Sequence, residues 1–228
     1  MREAVVETEQ NPSGTVSLAL PASVAHVLSK PVGEAVLSEL PLVSLSLDEG
    51  LTGDLARSLR SGRIDLMIHF DVEFDDEYLA EPLIREELFL FGRDIGGRGD
   101  ISMADASNFP IFLPGPQHAM GRAIARFERE NNRHFTRVPL EAGVHPMLAL
   151  VEAGRGTAIL PWSLIHDRVD KNGLTARRIT SPSVSRTAFL VTLQSRLQTP
   201  AAKAVAEIVR NAVSMIHKQG LWRGELLV

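Results

Sequence analysis

The chain lacks cysteine, an excess of basic residues and any long apolar run. The absence of cysteine excludes disulfides, cysteine-based zinc sites and cysteine nucleophiles, and it suits a cytoplasmic protein. The 24 basic residues are outnumbered by 28 acidic ones, without the basic stripe of a free-standing DNA-binding domain. No apolar run approaches the roughly 20 residues that span a bilayer. We therefore expect no membrane partner, and any DNA contact to come from outside this chain.

What is present is ordinary for a globular protein. Hydrophobic residues make up 44% of the 228 positions and charged residues 23%. This length suffices for one large domain or two smaller lobes with a buried core. Met1–Pro12 is acidic and polar, without the apolar segment of a signal peptide, so we expect a linker there.

The first part of the chain alternates strand and helix patterns. Strands are predicted at Thr15–Leu20, Leu42–Leu47 and Ile64–Phe70, with a helix after each of the first two. Pro31 is expected to split or kink the first helix because it lacks an N–H group. Thr52 is a good N-cap for the second. This β-α-β-α-β order indicates a mostly parallel sheet.

The second part repeats these patterns less regularly. Further strands are predicted at Leu83–Phe91, Phe109–Leu113, Val138–Ala142, Thr157–Leu160 and Arg186–Leu193. Apolar residues at helical spacing, among them Met120, Ile124 and Phe127, predict an amphipathic helix after Pro114-Gly115-Pro116. Later helices are expected to begin near Pro146 and, with Thr199 as the N-cap, at Pro200. The pattern favours a second α/β lobe.

Six segments carry motifs in a recognisable order: Ser13–Pro21, Leu40–Leu45, Glu49–Leu55, Gly62–Ile68, Glu81–Leu88 and Val151–Pro161. With them the chain resembles the effector-binding domain of LysR-type transcriptional regulators, from about Ser13 to Ala206. The segment Leu40–Leu45 departs from the family, which usually has one more residue between its proline and valine. The six motifs together are more specific than any one of them.

The resemblance implies an α/β fold with two lobes like those of type 2 periplasmic binding proteins, with mostly parallel sheets and two crossover strands. We expect lobe I at 13–84 and 187–218, lobe II at 85–186, a linker at 1–12 and a C-terminal tail at 219–228. Family members carry a winged helix-turn-helix ahead of this domain, which residues 1–12 are too short to hold. Promoter DNA is thus expected to be a partner only through that missing head.

A small anionic effector is expected in the cleft between the lobes, where strand ends and helix N-termini converge. No cofactor, metal or catalytic residue is expected, since the seven histidines form no H-x-x-x-H pair. The sequence predicts these ligand-binding residues: Ala22, Ser23, Leu51, Thr52, His69, Phe70, Gly115, Gln117, Val144 and His145.

Simpler interpretations stay open for these residues. Ser23 and Thr52 could only cap helices, His69 could be a core histidine, and His145 could belong to a helix start. A transport-type solute-binding protein and a small-acid enzyme are alternative functions on the same fold. An enzyme would need a carboxylate or lysine in the cleft, whereas the predicted residues favour binding.

The resemblance also implies a homodimer or tetramer. The helices around Val24–Leu40 and Met120–Phe127 are the candidate surfaces for contact with a second copy. Their apolar stripes could instead be used wholly within the core.

Overall fold

The computed structural model describes residues 11–50, 52–70, 76–97, 99–113, 119–181, 183–194 and 199–228, with the backbone alone for 52–54, 119 and 123. Its strands are β1 Gly14–Leu20, β2 Val43–Glu49, β3 Leu66–Phe70, β4 Tyr78–Arg93, β5 Ile101–Ser102, β6 Ile111–Phe112, β7 Thr157–Pro161, β8 Leu174–Thr180, β9 Ser185–Leu193 and β10 Gly224–Leu226. Its helices are α1 Ala22–Glu39, α2 Thr52–Arg60, α3 Met103–Ala106, α4 Ala119–Asn131, α5 Val144–Glu152, α6 Trp162–Ile165 and α7 Pro200–Lys218.

The chain folds into two compact units. Unit 1 comprises Met1–Arg85 and Thr187–Val228, and unit 2 comprises Glu86–Arg186. The chain passes from unit 1 to unit 2 within β4 and returns at the start of β9. Among the described helices, none is long and apolar enough to cross a membrane.

Unit 1 is built on a mixed sheet. Strand β1 lies between β2 and β3 and is parallel to both, and β9 is antiparallel to β3. All five residues of β3 are buried, as expected for a strand covered on both faces. Helices α1 and α7 pack against each other. Thr199 caps α7 by accepting a hydrogen bond from the Ala202 N–H at 3.2 Å, as its sequence predicts.

Helix α1 is not split at Pro31, so the first of the two outcomes expected from the sequence, a split or a kink, does not occur. The helix continues without interruption to Glu39. Proline inside a helix costs about 3 kcal/mol, because it removes one hydrogen bond and crowds the preceding turn. The buried residues Leu28 and Val32 flank Pro31, and their packing holds the helix together.

Unit 2 is organised around the second half of β4. Strands β7 and β8 pair with β4 in antiparallel fashion, β6 is parallel to β7, and β5 is parallel to β8. One of its cores contains Met120, Ile124 and Phe127 of α4, all of them buried. The apolar stripe of this helix is therefore used within unit 2, as the simpler interpretation of its sequence predicted.

One further expectation from the sequence is wrong. Val138–Ala142 is not a strand, since only Arg137 forms an isolated bridge, to Ile111. Pro139 has no N–H to offer, and the Leu140 N–H turns back to the Val138 carbonyl at 2.8 Å.

The segment 219–228 is not a loose tail. It contains β10, which pairs with β4, and Trp222, which is fully buried. The Leu227 N–H also donates to the Leu83 carbonyl at 2.9 Å. A buried tryptophan and a strand pairing make these residues part of unit 1.

Candidate functional site

The strands β1, β2 and β3 end at one edge of the unit 1 sheet, called the carboxyl edge below. Leu20, the last residue of β1, lies opposite Glu49, the last residue of β2. The Gly50 N–H donates to the Leu20 carbonyl at 3.2 Å, which ties together the turns that lead into α1 and α2. Two helix N-termini therefore begin side by side, and each directs backbone N–H groups and partial positive charge outward.

Gly50 closely approaches a buried leucine at the turn before α2. A Cβ atom on Gly50 would lie 2.7 Å from Cδ2 of Leu55, whose side chain is buried. The missing side chain lets α2 pack close to the end of β2. Thr52 is the first residue of α2. Leu51 lies outside the described residues.

Ser23 and His69 are buried polar residues at the carboxyl edge. Ser23 is the second residue of α1, whose N-cap is Pro21. The Pro21 carbonyl accepts the N–H groups of Val24 and Ala25, both at 2.9 Å. Ser23 is therefore not the N-cap of α1, which removes that simpler interpretation of its presence. Ala22 is the first residue of the same helix.

The end of β3 supplies the rest of the carboxyl edge. His69 and Phe70 are both buried, and they pair with Phe189 and Ala188 of β9. Because β1 and β3 are parallel, the end of β3 lies at the edge where α1 begins. The structure thus brings Ala22, Ser23, His69 and Phe70 to the edge at which α2 also starts.

In unit 2 the predicted residues Val144 and His145 are the first two residues of α5. The N-cap is Gly143, and no side chain caps this helix, so His145 is not the capping residue. The His145 side chain is exposed, unlike that of His69. Gly115 and Gln117 lie outside the described residues, although β6 ends just before them at Phe112.

Comparison with known proteins identifies the family. Residues 9–214 match the LysR substrate binding domain. The chain belongs to this family. It is thus the effector-binding domain of a LysR-type transcriptional regulator, and the two-lobe α/β fold predicted from the sequence, like that of type 2 periplasmic binding proteins, is confirmed.

The chain is also similar to named regulators and to solved structures of the same fold. The nitrogen assimilation regulatory protein nac of Klebsiella aerogenes is 25% identical over 213 residues, covering 92% of this chain and 70% of the relative. A H2O2-bound mutant of Corynebacterium glutamicum OxyR is 18% identical with a TM-score of 0.77, covering 98% of this chain and 76% of that one. The effector-binding domain of QuiR in complex with shikimate is 20% identical with a TM-score of 0.73, covering 89% of this chain and 98% of that one. At these identities the structures show the fold alone.

Two buried polar features of this LysR domain were missed by the sequence predictions. Glu86 is fully buried in β4 and forms an ion pair with Arg186. The Ser163 side chain is also fully buried, directly after β7. Within the segment Glu81–Leu88, Glu86 stands where the family motif has its glutamate. This match indicated a specific role for the residue. Ser163 lies in an apolar segment and gave no signal.

Between β4 and β5 the described residues 94–97, 99 and 100 belong to a glycine-rich loop. Gly96 and Gly97 adopt positive φ angles of 67° and 72°. Two arginines of β8 hold the loop: Arg177 donates to the Asp100 carbonyl at 2.8 Å, and Arg178 donates to the Asp100 carboxylate at 2.8 Å. The hydrogen bond from Arg178 lowers the pKa of Asp100. These contacts fix the Asp100 end of the loop against β8.

Proposed function

We propose that this domain senses a small anionic metabolite and that its carboxyl edge in unit 1 supplies the main contacts. The observation that carries the proposal is the hydrogen bond from Gly50 to Leu20, which holds two helix N-termini together beside buried Ser23 and His69. Helix N-termini are natural anion sites because they combine free N–H groups with partial positive charge. QuiR, of the same fold, binds shikimate, a carboxylic acid.

Each residue has a definite role in this proposal. Ser23 and Thr52 donate hydroxyl hydrogen bonds to the effector, and His69 is the neighbour that responds to its charge. The backbones of Ala22 and Leu51 and the ring of Phe70 complete the unit 1 contacts. Unit 2 contributes the contacts predicted from the sequence: Gly115, Gln117, Val144 and His145.

The domain acts by binding and not by catalysis. An effector shifts the regulator between two states only if it binds them with different affinities. We propose that DNA is contacted by a separate winged helix-turn-helix domain and that the regulator works in the cytoplasm. The chain contains no cysteine, so thiol chemistry cannot provide its signal.

A thermal-shift screen tests the proposal. The panel comprises metabolic acids, amino acids, aromatic acids and inorganic anions, with Thr52→Ala and the hydroxyl-retaining Thr52→Ser alongside wild type. A ligand at about 100 times its Kd adds about 2.7 kcal/mol of stability. For a chain of this length that raises Tm by about 5–11 °C. We expect a hit that is lost in Thr52→Ala and retained in Thr52→Ser.

Mass spectrometry of the ligand after incubation separates binding from catalysis. An unchanged ligand agrees with a sensor, whereas a consumed ligand contradicts it and favours an enzyme. A hit that both variants retain equally would contradict the role of Thr52.

A second copy of the chain is the proposed occupant of the outer edge of unit 1. In the described strand order β2 is terminal and pairs with β1 alone. Leu37 near the end of α1 is 81% exposed, and Leu42 just before β2 is 62% exposed. Two exposed leucines beside an unpaired strand edge form an apolar surface that favours contact with another chain. The α1 surface suggested by the family resemblance therefore stays a proposal. The part of α1 that we propose for the contact is its C-terminal end.

Sedimentation velocity tests this surface. We expect wild type to form a dimer or tetramer and Leu37→Lys to weaken it at least tenfold, because a lysine at the surface places charge in an apolar contact. Leu140→Lys is the matched control, since Leu140 is an exposed leucine of unit 2. Equal association of all three proteins would show that this edge is not the interface.

A further inference from the structure

Helix α4 carries arginines along the side that faces away from the core of unit 2. Arg122, Arg126 and Arg129, called the arginine row below, are all exposed. Their spacing of four and three residues places them on one face of the helix, within about 60° of each other. Ile124 and Phe127 of the same helix are buried in the core. The helix therefore has an apolar inner face and a cationic outer face.

The two glutamates of α4 leave most of this positive charge uncompensated. Glu128 is buried, where it accepts a hydrogen bond from the Phe135 N–H at 3.0 Å and forms an ion pair with Arg137. Glu130 pairs with Arg126 at 2.7 Å, but both side chains are more than half exposed. Exposed pairs of this kind are weak, because water and salt screen them. A polyanion can therefore compete with Glu130 for Arg126.

The charge of this segment differs from that of the whole chain. Residues 119–137 contain five arginines and two glutamates, a surplus of three positive charges, whereas the chain has a net charge of −4. Arg133, just after the helix, donates to the Ala104 carbonyl at 3.2 Å, a partner without charge. The overall acidity led us to expect DNA contacts only from outside this chain. A net charge, however, does not describe a surface on which the charges are unevenly placed.

A cationic helix face of this length fits the phosphate backbone of duplex DNA. Guanidinium groups bind phosphate oxygens through paired N–H donors. Arg122 and Arg129 are seven residues apart, which is about 10.5 Å along the helix. Each DNA strand carries one phosphate per roughly 3.4 Å of the duplex axis, so the row spans about three phosphates. The DNA-binding domain that we propose for the regulator would hold DNA near this domain and raise its effective concentration.

We propose that the arginine row contacts the phosphate backbone of duplex DNA without reading its base sequence. Phosphate contacts strengthen binding and position a protein on the duplex, while base contacts give specificity. The inference goes beyond the proposed function, since α4 adds a second DNA contact to that of the separate winged helix-turn-helix. It rests on the proposed function only for the presence of DNA. The row includes none of the residues that we propose to contact the effector.

Fluorescence anisotropy of a labelled duplex of arbitrary sequence tests the inference. The duplex is titrated with the chain at several salt concentrations, beginning at low ionic strength. Arg126→Gln/Arg129→Gln removes two members of the row and keeps good helix formers. Arg57→Gln/Arg60→Gln is the matched control, because both are exposed arginines of α2 and their loss changes the net charge equally. Tm of each protein shows that it is folded.

We expect wild type to bind the duplex with a strong dependence on salt. The logarithm of the association constant should fall against the logarithm of the salt concentration with a slope of about −2.7, or about −0.9 for each of three phosphates. In Arg126→Gln/Arg129→Gln the slope should shrink to about −0.9, and binding at the lowest salt should weaken about tenfold or more. The Arg57→Gln/Arg60→Gln control should keep the wild-type slope.

Three results would overturn the inference. The first is no binding by wild type at low salt, including the case in which Arg126→Gln/Arg129→Gln alters only the association state in sedimentation velocity. The second is an equal loss of binding in both double variants, because net charge would then be the cause. The third is displacement of the duplex by poly-L-glutamate as effectively as by unlabelled DNA of equal charge, which would indicate an acidic protein as the partner.

This test and the test of effector sensing are independent. The titration contains no effector, so its failure leaves the result of the thermal-shift screen unchanged. A failed screen likewise leaves the binding of duplex DNA to the arginine row unchanged.

Discussion

The two ends of the unit 1 sheet use polar residues in different ways. At the start of β3, Asp65 accepts hydrogen bonds from both the N–H and the hydroxyl of Ser17, each at 2.9 Å. The Thr192 hydroxyl donates to the Asp65 carbonyl at 2.8 Å. These three residues, the amino cluster, join β1, β3 and β9. At the carboxyl edge the buried polar residues Ser23 and His69 lie beside two helix starts instead.

The comparison separates polar residues that stabilise the fold from those that we propose to contact the effector. The amino cluster connects three strands through hydrogen bonds within the protein, so its role is to stabilise the fold. The carboxyl edge lies where two helices begin, and the first N–H groups of a helix generally have no partner within it. Ser17 and Ser23 are only six residues apart on the chain, and their opposite positions on the sheet separate their roles.

The largest expected effect comes from breaking the amino cluster. Asp65→Ala removes the acceptor of both bonds from Ser17, and the Ser17 N–H is then left partly buried without a partner. The free energy of unfolding should fall by about 2–4 kcal/mol. Effector affinity, measured by calorimetry, should stay unchanged because the cluster lies away from the carboxyl edge.

Asp48→Ala is the matched control for this change. Asp48 is an exposed aspartate of the same sheet, and its side chain accepts a hydrogen bond from the Ser46 hydroxyl at 3.2 Å. Its removal should change the free energy of unfolding by no more than about 0.5 kcal/mol. An Asp65→Ala protein as stable as this control would contradict the structural role of the amino cluster.

Sequence patterns predicted the main strands and helices because these elements depend on residues that are close together in the chain. The apolar run at Ile64–Phe70 and the cap at Thr199 depend on neighbours in the chain, and both are present. Strand β8 was missed because Arg177 and Arg178 interrupt its apolar pattern. Trp222 was assigned to a tail because its burial depends on β4, far away in the sequence.

The candidate site was predictable to a similar extent. Ser23, Thr52 and His69 follow from a general rule, because parallel strands bring their carboxyl ends to one edge. The buried Ser163 hydroxyl, which has no hydrogen-bond partner among the described residues, was missed because it lies in an apolar segment and nothing near it in the sequence marks it. A lack of hydrogen-bond partners is a property of the folded environment, so only the structure could reveal it.

A smaller effect should come from the carboxyl edge, and it should appear in affinity and not in stability. Ser23→Ala removes the hydroxyl beside the start of α1, and Ser17→Ala removes one from the amino cluster on the same strand-helix unit. We expect Ser23→Ala to weaken effector binding about tenfold, which is about 1.4 kcal/mol. The free energy of unfolding should change by no more than about 1 kcal/mol.

Ser17→Ala should show the reverse, with lower stability and unchanged Kd, because its hydroxyl bonds to Asp65. If both variants lose stability and neither loses affinity, the two ends of the sheet are alike and the effector binds elsewhere.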